Sequence, residues 1–247
     1  MTSQRVIIAG AGLGGLRTAE ALRANGFAGE VIIFGDEAHA PYNRPPLSKE
    51  ALYGEISHEK LAFRVRSTAT DLQWRLGDGI AAASLGERTI RLTSGELLSY
   101  DALVAATGVS ARRLPIPGPP PTPAAGRHVI RTLDDALALR AALRPGARVV
   151  VLGAGFIGCE VAATARLLGC EVHCVAIDSH PMIRPLGVEL AAELQRRHEE
   201  QGVIFHLGVG LTAFQGDDHV TGVVLSDGTA LPADVVVEAC YTVHQSL

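Results

Sequence analysis

Short apolar runs alternate with amphipathic segments along the chain, and two of these runs lead directly into a glycine-rich turn. A short apolar run is typical of a buried parallel strand, and apolar positions three and four residues apart are typical of a helix. The first unit predicts a strand at 5–9, a turn at 10–15, a helix at 16–23 and a second strand at 31–34. The second unit predicts a strand at 148–152, a turn at 153–158, a helix at 159–168 and a strand at 171–177. The pattern therefore predicts an α/β protein with two strand–turn–helix–strand units.

Both turns carry glycines at the spacing of a dinucleotide-binding fingerprint. The first turn has Gly10, Gly12, Gly14 and Gly15, and the second has Gly153, Gly155 and Gly158. In such a turn one glycine permits the tight bend, one lets the backbone approach a pyrophosphate, and one lets helix and strand pack closely. The phosphates then face the unpaired N–H groups at the positive end of the helix dipole. Two copies in this context favour nucleotide binding over two tight turns without a ligand.

The remaining pattern predicts further strands and one domain boundary. Strands are predicted at 89–92, at 103–108 as a buried strand ending in a turn, at 220–225 and at 233–237. The segment 114–123 is rich in proline and is unsuited to a helix or a central strand. We therefore expect a first nucleotide-binding domain at 1–113 and a second at 114–239, inserted after the first.

Composition excludes several classes of protein. A chain of 247 residues can form two modest domains, and its formal net charge of -4 gives no basis for binding nucleic acid. The apolar run at 6–16 lacks the basic region and the cleavage site of a signal peptide. No apolar stretch approaches the roughly 20 residues that span a bilayer. We expect a cytoplasmic protein that binds neither nucleic acid nor membrane.

The cysteines and histidines predict no chemistry of their own. Cys159, Cys170, Cys174 and Cys240 form no C-x-x-C pair, so packing is the expected role of all four. A dithiol–disulfide relay of the glutathione-reductase type has no cysteine pair after the first unit. The histidines at 39, 58, 173 and 206 lack the spacing of metal ligands, and we expect no metal site.

Two further motifs carry a resemblance to a known family. The segment 41–49, PYNRPPLSK, and the segment 106–108, ATG, together with the two glycine turns, resemble the FAD-dependent NAD(P)H:ferredoxin reductases. These belong to the pyridine nucleotide-disulfide oxidoreductase superfamily and serve bacterial cytochrome P450 and ring-hydroxylating oxygenase systems. The resemblance runs from residue 5 to about residue 239. It implies two Rossmann-like, doubly wound nucleotide-binding domains, with hydride transfer from NAD(P)H to FAD and one-electron transfers to a ferredoxin-type iron–sulfur protein.

The resemblance assigns the first glycine turn to the ADP half of FAD. Asp36 would bind the adenosine ribose, with Glu37 as an open alternative, and Lys49 would lie near the isoalloxazine. A cation there would stabilise negative charge on reduced flavin. Arg131 matches an arginine that contacts FAD, and Ala81 is included in the predicted FAD-binding set. Without the resemblance, Lys49 would be interpreted as a solvated side chain and Arg131 as an ordinary charge before a helix.

The same resemblance assigns the second glycine turn to NAD(P)H. Glu160 matches a glutamate near the nicotinamide, and it could also be a carboxylate favoured by the helix dipole. Members of the family that prefer NADH have an acidic residue where this chain has Ala176, and Asp178 is the nearest substitute, with His180 and Arg184 close by. We expect NADH to be preferred over NADPH.

The C-terminal part departs from the family. Members return to the FAD domain, supply a Gly-Asp motif for the ribityl chain and add a C-terminal domain, whereas this sequence departs near Cys240. We expect residues 240–247 to be an atypical tail, with the final FAD-domain segment and the C-terminal domain absent. A sheet without its last strand would expose an unpaired neighbour, and FAD would be bound weakly or through its ADP half alone.

Two other functions remain open at this stage. A related flavoprotein that reduces another acceptor, such as rubredoxin or a nitrite reductase system, or one that resembles apoptosis-inducing factor, fits the same motifs. A nucleotide-binding remnant that folds without passing electrons fits them as well.

Overall fold

The computed structural model describes residues 4–54, 57–240 and 242–244. The strands are β1 (Arg5–Ala9), β2 (Glu30–Gly35), β3 (Gln73–Leu76), β4 (Ile80–Ser84), β5 (Thr89–Leu92), β6 (Leu97–Ser99), β7 (Ala102–Ala105), β8 (Val109–Ala111), β9 (Arg127–His128), β10 (Arg148–Leu152), β11 (Glu171–Ala176), β12 (Val203–Leu207), β13 (Leu211–Gln215), β14 (Gly222–Leu225), β15 (Ala230–Pro232), β16 (Val235–Glu238) and β17 (Thr242–His244). The α-helices are α1 (Leu13–Ala24), α2 (Glu50–Tyr53), α3 (His58–Leu61), α4 (Leu133–Ala142), α5 (Phe156–Leu167) and α6 (Ile183–Glu200). Short 3₁₀ helices span Pro45–Ser48, Ser67–Ala69 and Pro123–Ala125.

The chain divides into two compact units that are not continuous in sequence. Of the described residues, 4–43, 57–110 and 243–244 form the first unit, and 44–54, 111–240 and 242 form the second. The segment that contains Lys49 therefore belongs to the second unit.

A four-stranded parallel sheet in the order β3-β2-β1-β7 is the centre of the first unit. Successive side chains of a strand point to opposite faces, so a central strand with both faces covered is apolar throughout. On one face, Ile8 and Ile33 pack with Ala19 of α1. On the other, Ile7 and Phe34 pack against the antiparallel strands β4, β5 and β6. The first glycine turn lies between β1 and α1 at the carboxyl edge of this sheet.

The second unit repeats this arrangement with a five-stranded parallel sheet in the order β12-β11-β10-β16-β9. Val150 and Val236 of its central strands pack against the antiparallel sheet of β13, β14 and β15. Residues of α5 are also buried, among them Val161, Ala162 and Ala165. The second glycine turn lies between β10 and α5.

A buried ionic cluster joins the end of β16 to the segment after β8. Glu238 is 2% exposed and accepts hydrogen bonds from Arg127 Nε at 3.2 Å, Arg127 Nη2 at 3.1 Å and Arg113 Nη1 at 3.3 Å. Arg127 also donates to the carbonyl of Pro119 at 2.9 Å and lies 3.7 Å from the ring centre of Phe214. Multiple partners of this kind compensate for the cost of burying a charge.

The predicted α/β class with two glycine-turn units and parallel sheets is confirmed. The strand predicted at 103–108 exists at 102–105, but the expectation that it is buried is wrong. Its side chains are half-buried or exposed, because β7 is an edge strand of the four-stranded sheet in the described part of the chain. Helices α1 and α5 begin three residues earlier than predicted, since each starts directly after the second glycine of its turn.

Of the proline-rich segment predicted at 114–123 to contain neither helix nor central strand, residues 114–122 contain neither, and Pro123 begins the 3₁₀ helix Pro123–Ala125. Within the tail predicted to be atypical, residues 242–244 form β17, and residues 241 and 245–247 lie outside the described residues. None of the described helices combines the length and the apolar character that crossing a membrane requires.

Candidate functional site

The first glycine turn has the geometry that the fingerprint demands. Gly10 has φ +120, and a Cβ at this position would overlap the carbonyl oxygen of Ala106. A Cβ at Gly15 would overlap the carbonyl oxygen of Gly10, so this glycine permits the close packing of α1 against the turn. At Gly12 a Cβ would meet nothing within 4 Å, and at Gly14 it would make only an ordinary contact with Ala106. The fold therefore requires Gly10 and Gly15, whereas Gly12 faces open space.

The open space at Gly12 lies at the start of α1. Gly12 is the N-cap residue, no side chain caps the helix, and its first turn contains no acidic residue. The N–H groups of the first turn have no partner inside a helix, and they carry the positive end of its dipole. An uncapped helix start beside a glycine without neighbours is suited to bind the phosphates of a dinucleotide.

The carboxylate predicted to bind ribose follows β2 directly. Asp36 is exposed, and its side chain accepts no hydrogen bond from the described residues. Glu37, the alternative, accepts a hydrogen bond from the Tyr42 hydroxyl at 2.5 Å. Buried Gly79 lies against Asp36, and a Cβ there would overlap Asp36 Oδ1. Asp36 is thus the carboxylate available to a ligand, and Gly79 provides the space it occupies.

The second glycine turn has the same geometry as the first. Gly153 has φ +109, and a Cβ there would lie 2.6 Å from the carbonyl oxygen of Ala239. A Cβ at Gly158 would overlap the carbonyl oxygen of Gly153, and one at Gly155 would meet nothing within 4 Å. Gly155 is the N-cap of α5, which also lacks a side-chain cap. The division of roles among the three glycines is therefore the same in both units.

A cavity of about 430 Å³ opens beside the second turn, and residues 154–156, Asp178 and residues 182–185 line it. Asp178 accepts a hydrogen bond from Arg184 Nη2 at 3.1 Å, and both side chains are partly exposed. Ala176 is the last residue of β11 and is buried. His180, predicted to lie nearby, has its ring Nδ1 3.2 Å from Ser179 Oγ. The carboxylate and the guanidinium of the Asp178–Arg184 pair are the charged groups of the cavity lining.

Strand register identifies the position in the second unit that corresponds to Asp36. Ala9, the last residue of β1, pairs with Phe34, and Leu152, the last residue of β10, pairs with Val175. The first glycine of each turn directly follows Ala9 and Leu152, so the two pairs are equivalent. Two residues past Phe34 is Asp36, and two residues past Val175 is Ile177, which is 63% exposed. The second unit therefore has an apolar side chain where the first has its free carboxylate.

Lys49 and Glu160 lie together in the second unit although 111 positions separate them. Lys49 Nζ is 2.8 Å from Glu160 Oε1, and the two side chains are 39% and 33% exposed. Ser48 Oγ donates a hydrogen bond to Glu160 Oε2, so both carboxylate oxygens are engaged. Glu160 is the fifth residue of α5 and lies beyond the first turn, where the helix dipole is strongest. Its carboxylate is therefore held by Lys49 and Ser48.

Arg131 and Ala81 are the other two residues predicted to contact FAD. The backbone N–H of Arg131 donates to Asp135 Oδ2 at 3.1 Å, and its carbonyl accepts from Arg44 Nη1 at 2.6 Å, just before α4. Arg131 thus has a fixed backbone beside the segment that carries Lys49. Ala81 is exposed in β4 beside the irregularity in pairing between Ile80 and Ala82.

The four cysteines are free thiols, and three of them are buried. Burial raises the pKa of Cys159 and of Cys240 to about 11 and also raises those of Cys170 and Cys174. Protonated thiols are poor nucleophiles, which agrees with a packing role.

Sequence reasoning did not identify Ser48, Thr164 or Gly79 as parts of the site. Ser48 stands in the PPLSK motif, which was the one available signal. Thr164 and Gly79 belong to no motif, and their positions follow from the tertiary structure.

Comparison with known proteins identifies the family of the chain. The family model described as pyridine nucleotide-disulphide oxidoreductase matches residues 4–244. The chain is 39% identical over 235 residues to the biphenyl dioxygenase system ferredoxin–NAD(+) reductase component of Paraburkholderia xenovorans (strain LB400), covering 94% of this chain and 56% of that protein. It is 40% identical over 230 residues to the ferredoxin reductase component of chlorobenzene dioxygenase of Cupriavidus sp. (strain PS12), covering 93% of this chain and 55% of that one.

Solved structures of two reductases also match the chain. The ferredoxin reductase for the CYP199A2 system from Rhodopseudomonas palustris matches with a TM-score of 0.88 and 38% identity, over 97% of this chain and 59% of that one. The reductase in the covalent putidaredoxin reductase–putidaredoxin complex matches with a TM-score of 0.89 and 33% identity, over 98% and 59%. The chain thus spans little more than half the length of these relatives. With a family match over nearly all its residues, the chain belongs to the pyridine nucleotide-disulphide oxidoreductase family.

Proposed function

We propose that this chain forms the dinucleotide-binding part of a FAD-dependent NAD(P)H:ferredoxin reductase. The observation that carries the proposal is the duplicated glycine turn, in which each unit has two sterically required glycines and one that faces open space at an uncapped helix start. Relatives named as ferredoxin reductase components, at 39% and 40% identity, support the choice of reaction.

The first unit is proposed to bind the ADP half of FAD. The backbone at Gly12 and the N-terminus of α1, which includes Gly14, would bind the pyrophosphate, and Gly10 and Gly15 would shape the turn around it. Asp36 would accept hydrogen bonds from the ribose hydroxyls, because it is exposed and its neighbour Glu37 is engaged by Tyr42. Ala81 and Arg131 remain proposed FAD contacts on the basis of the resemblance.

The second unit is proposed to bind NAD(P)H at the turn of Gly153, Gly155 and Gly158. The cavity beside Gly155 has the volume of a small-molecule site. Asp178 is the proposed acceptor for the adenosine ribose, because it lines the cavity and neither Ala176 nor Ile177 before it is acidic. NADH preference stays a prediction, since Arg184 in the same lining offers positive charge to a 2′-phosphate.

Lys49 and Glu160 are proposed to serve the reaction itself. FAD, when bound, would supply the hydride acceptor for the nicotinamide and the one-electron donor for the iron–sulfur protein. Lys49 contributes a positive charge that favours the reduced, more negative flavin. Glu160 holds the Lys49 ammonium at 2.8 Å, and the Ser48 hydroxyl holds the other carboxylate oxygen. No residue of this chain is required to act as a nucleophile or to bind a metal.

The proposed acceptor is a ferredoxin-type iron–sulfur protein, and the proposed location is the cytoplasm. A solved relative is a complex of putidaredoxin reductase with putidaredoxin, which supports an acceptor of this class. A reductase of this class needs reduced nicotinamide cofactor as donor and an oxidised iron–sulfur protein as acceptor, and the cytoplasm is the proposed source of both.

A two-stage assay tests the proposal. The protein is supplied with FAD, and oxidation of NADH or NADPH is followed with ferricyanide and then with a [2Fe–2S] ferredoxin coupled to cytochrome c. The Lys49→Met variant should lose most of its turnover, whereas the matched Lys60→Met variant should keep it. Ferricyanide turnover without ferredoxin reduction would exclude this acceptor class. Binding of both nucleotides without any turnover would instead establish a non-catalytic nucleotide-binding protein.

A further inference from the structure

Thr164 links α5 to the segment that carries Lys49. Its Oγ1 donates a hydrogen bond of 3.1 Å to the backbone carbonyl of Ser48, and both residues are buried, with exposures of 4% and 5%. A threonine inside a helix commonly bonds to the carbonyl four residues before it in the same helix. Thr18 of α1 does so, with its Oγ1 2.9 Å from the Gly14 carbonyl. Thr164 instead bonds to a residue 116 positions away.

The position of Thr164 on α5 connects this bond to the ion pair. Glu160 and Thr164 are four residues apart, so their side chains lie on the same face of the helix. Thr164 holds the Ser48 carbonyl, while Glu160 accepts from the Ser48 hydroxyl and pairs with Lys49. Two consecutive residues of the Lys49 segment are therefore attached to two consecutive turns of one helix.

This attachment restricts where the Lys49 ammonium can lie. Lys49 joins the 3₁₀ helix at Pro45–Ser48 to α2, and its N–H donates to the Pro46 carbonyl at 3.1 Å while its carbonyl accepts from the Leu52 N–H at 2.9 Å, so its backbone is held but its long side chain is not. The neighbouring Ser48 is fixed at both its carbonyl and its hydroxyl. A lysine side chain is long and flexible, and it holds one position only when its ends are constrained.

We propose that Thr164 and Ser48 are positioning residues that set the geometry of the Lys49–Glu160 pair. Thr164 fixes the Lys49 segment against α5, and Ser48 orients the Glu160 carboxylate toward Lys49. The role of the pair in flavin reduction rests on the proposed function, but its geometry does not.

The chain offers a direct probe of this geometry, because Lys49 and Lys60 are its lysines. Protein labelled with ¹³C at the lysine ε-carbon gives signals from these two residues, and a Lys60→Arg variant assigns them. Relaxation of each signal measures the motion of the side chain without any need for bound FAD. In the unmodified chain, the ion pair with Glu160 should restrain the Lys49 ε-carbon.

Three substitutions separate positioning from fold. Thr164→Val keeps the shape of the side chain and removes the hydroxyl that donates, and it should raise the mobility of Lys49 above that in the unmodified chain. Thr164→Ser keeps the hydroxyl and should preserve the restraint. Ser48→Ala, which leaves α5 unchanged, should release Lys49 as Thr164→Val does. Thr18→Val removes a threonine hydroxyl bond from another helix and should leave the Lys49 signal unchanged.

Kinetics then test the consequence for the reaction. With FAD supplied, Thr164→Val should lower kcat for NADH oxidation about tenfold and leave KM for NADH within about twofold, because the lost positioning acts on the chemical step. Thr164→Ser should restore kcat. An unchanged Lys49 signal in Thr164→Val and in Ser48→Ala would overturn the proposal. If the unmodified chain gave no turnover, the proposed function would fail, while the relaxation data would still decide the positioning claim.

Discussion

Gly79 lies so close to Asp36 that a Cβ on the glycine would overlap Oδ1 of the carboxylate. Gly79 lies directly before β4 and Asp36 directly after β2, so two separate parts of the first unit are in contact here. The absence of a side chain at position 79 is what gives the Asp36 carboxylate its place at the carboxyl edge of the sheet.

We predict that Gly79→Ala weakens FAD binding about tenfold to a hundredfold while the protein remains folded. The Asp36 side chain can rotate away from the added methyl group, so the main loss is the hydrogen bond to the ribose, and a bond to a charged group contributes about 1.5–3 kcal/mol. Titration of FAD fluorescence measures the affinity. Gly86→Ala is the matched control, since a Cβ there meets nothing within 4 Å. Equal FAD affinity in the Gly79 variant and the control would remove Asp36 from the site.

The glycines that face open space should separate binding from stability. We expect Gly155→Ala to keep the melting temperature nearly unchanged and to weaken NADH binding about tenfold or more, a loss of at least 1.4 kcal/mol. The added methyl group would occupy the space through which the pyrophosphate approaches. Calorimetric titration with NADH and thermal denaturation give the two readouts.

Gly158→Ala is the opposite case, because its Cβ would overlap the Gly153 carbonyl oxygen. We expect it to destabilise the protein by about 1–3 kcal/mol, as overpacking does. In the first unit, Gly12→Ala should weaken FAD binding with little effect on stability, and Gly15→Ala should destabilise the protein. A Gly155 variant with full NADH affinity would show that this turn binds no pyrophosphate.

The Asp178–Arg184 pair should set the choice between NADH and NADPH. Arg184→Gln removes the cation that can meet a 2′-phosphate, so the ratio of kcat/KM for NADH to that for NADPH should rise. Asp178→Asn removes the carboxylate that accepts from a 2′-hydroxyl and the negative charge that repels a 2′-phosphate, so the ratio should fall. Steady-state assays with both cofactors measure it. A clear preference of the unmodified chain for NADPH would contradict the predicted preference for NADH.

His128 should make the second unit sensitive to acid. Its ring is 2% exposed, neither ring nitrogen has a hydrogen-bond partner among the described residues, and burial lowers its pKa from the ordinary 6.5 to about 4. The unfolded chain therefore binds this proton more readily than the folded one. The stability that comes from keeping His128 neutral is present above about pH 6.5 and is lost as the pH falls toward 4, by about 3 kcal/mol.

The His128→Leu variant tests this expectation, since it fills a similar volume and carries no titrating group. Its free energy of unfolding should fall less between pH 6.5 and pH 4 than that of the unmodified chain. Burial also lowers the pKa values of His173, His198 and His206, so some acid sensitivity should remain. Denaturant titrations across this pH range measure the difference, and identical slopes in both proteins would contradict the assignment.

The parts of the fold that the sequence predicted are those with a local cause. Gly10 and Gly153 appear where a positive φ is needed, and a strand and a helix flank each of them, so motif and structure coincide. The burial of β7 could not be predicted, because it depends on the order of strands in the sheet. A run such as Leu103–Val104 has the same composition in an edge strand as in a central one.

The residues of the candidate site also differ in whether the sequence could predict them. The ion pair of Lys49 and Glu160 joins residues 111 positions apart, and only the resemblance suggested both. The choice of Asp36 over Glu37 depends on the hydroxyl of Tyr42, whose position no spacing reveals. Thr164 is one threonine among many in the sequence, and its role follows from a tertiary hydrogen bond alone.

The central claim is that this chain binds FAD and reduces it with a nicotinamide cofactor. The most direct test is the visible absorption spectrum of the protein in a solution of FAD, recorded before and after anaerobic addition of NADH and compared with that of FAD alone. We predict that the protein accelerates the bleaching of the flavin band by NADH, although weakly bound FAD is lost on desalting. A flavin band that bleaches no faster with the protein than without it would contradict the claim.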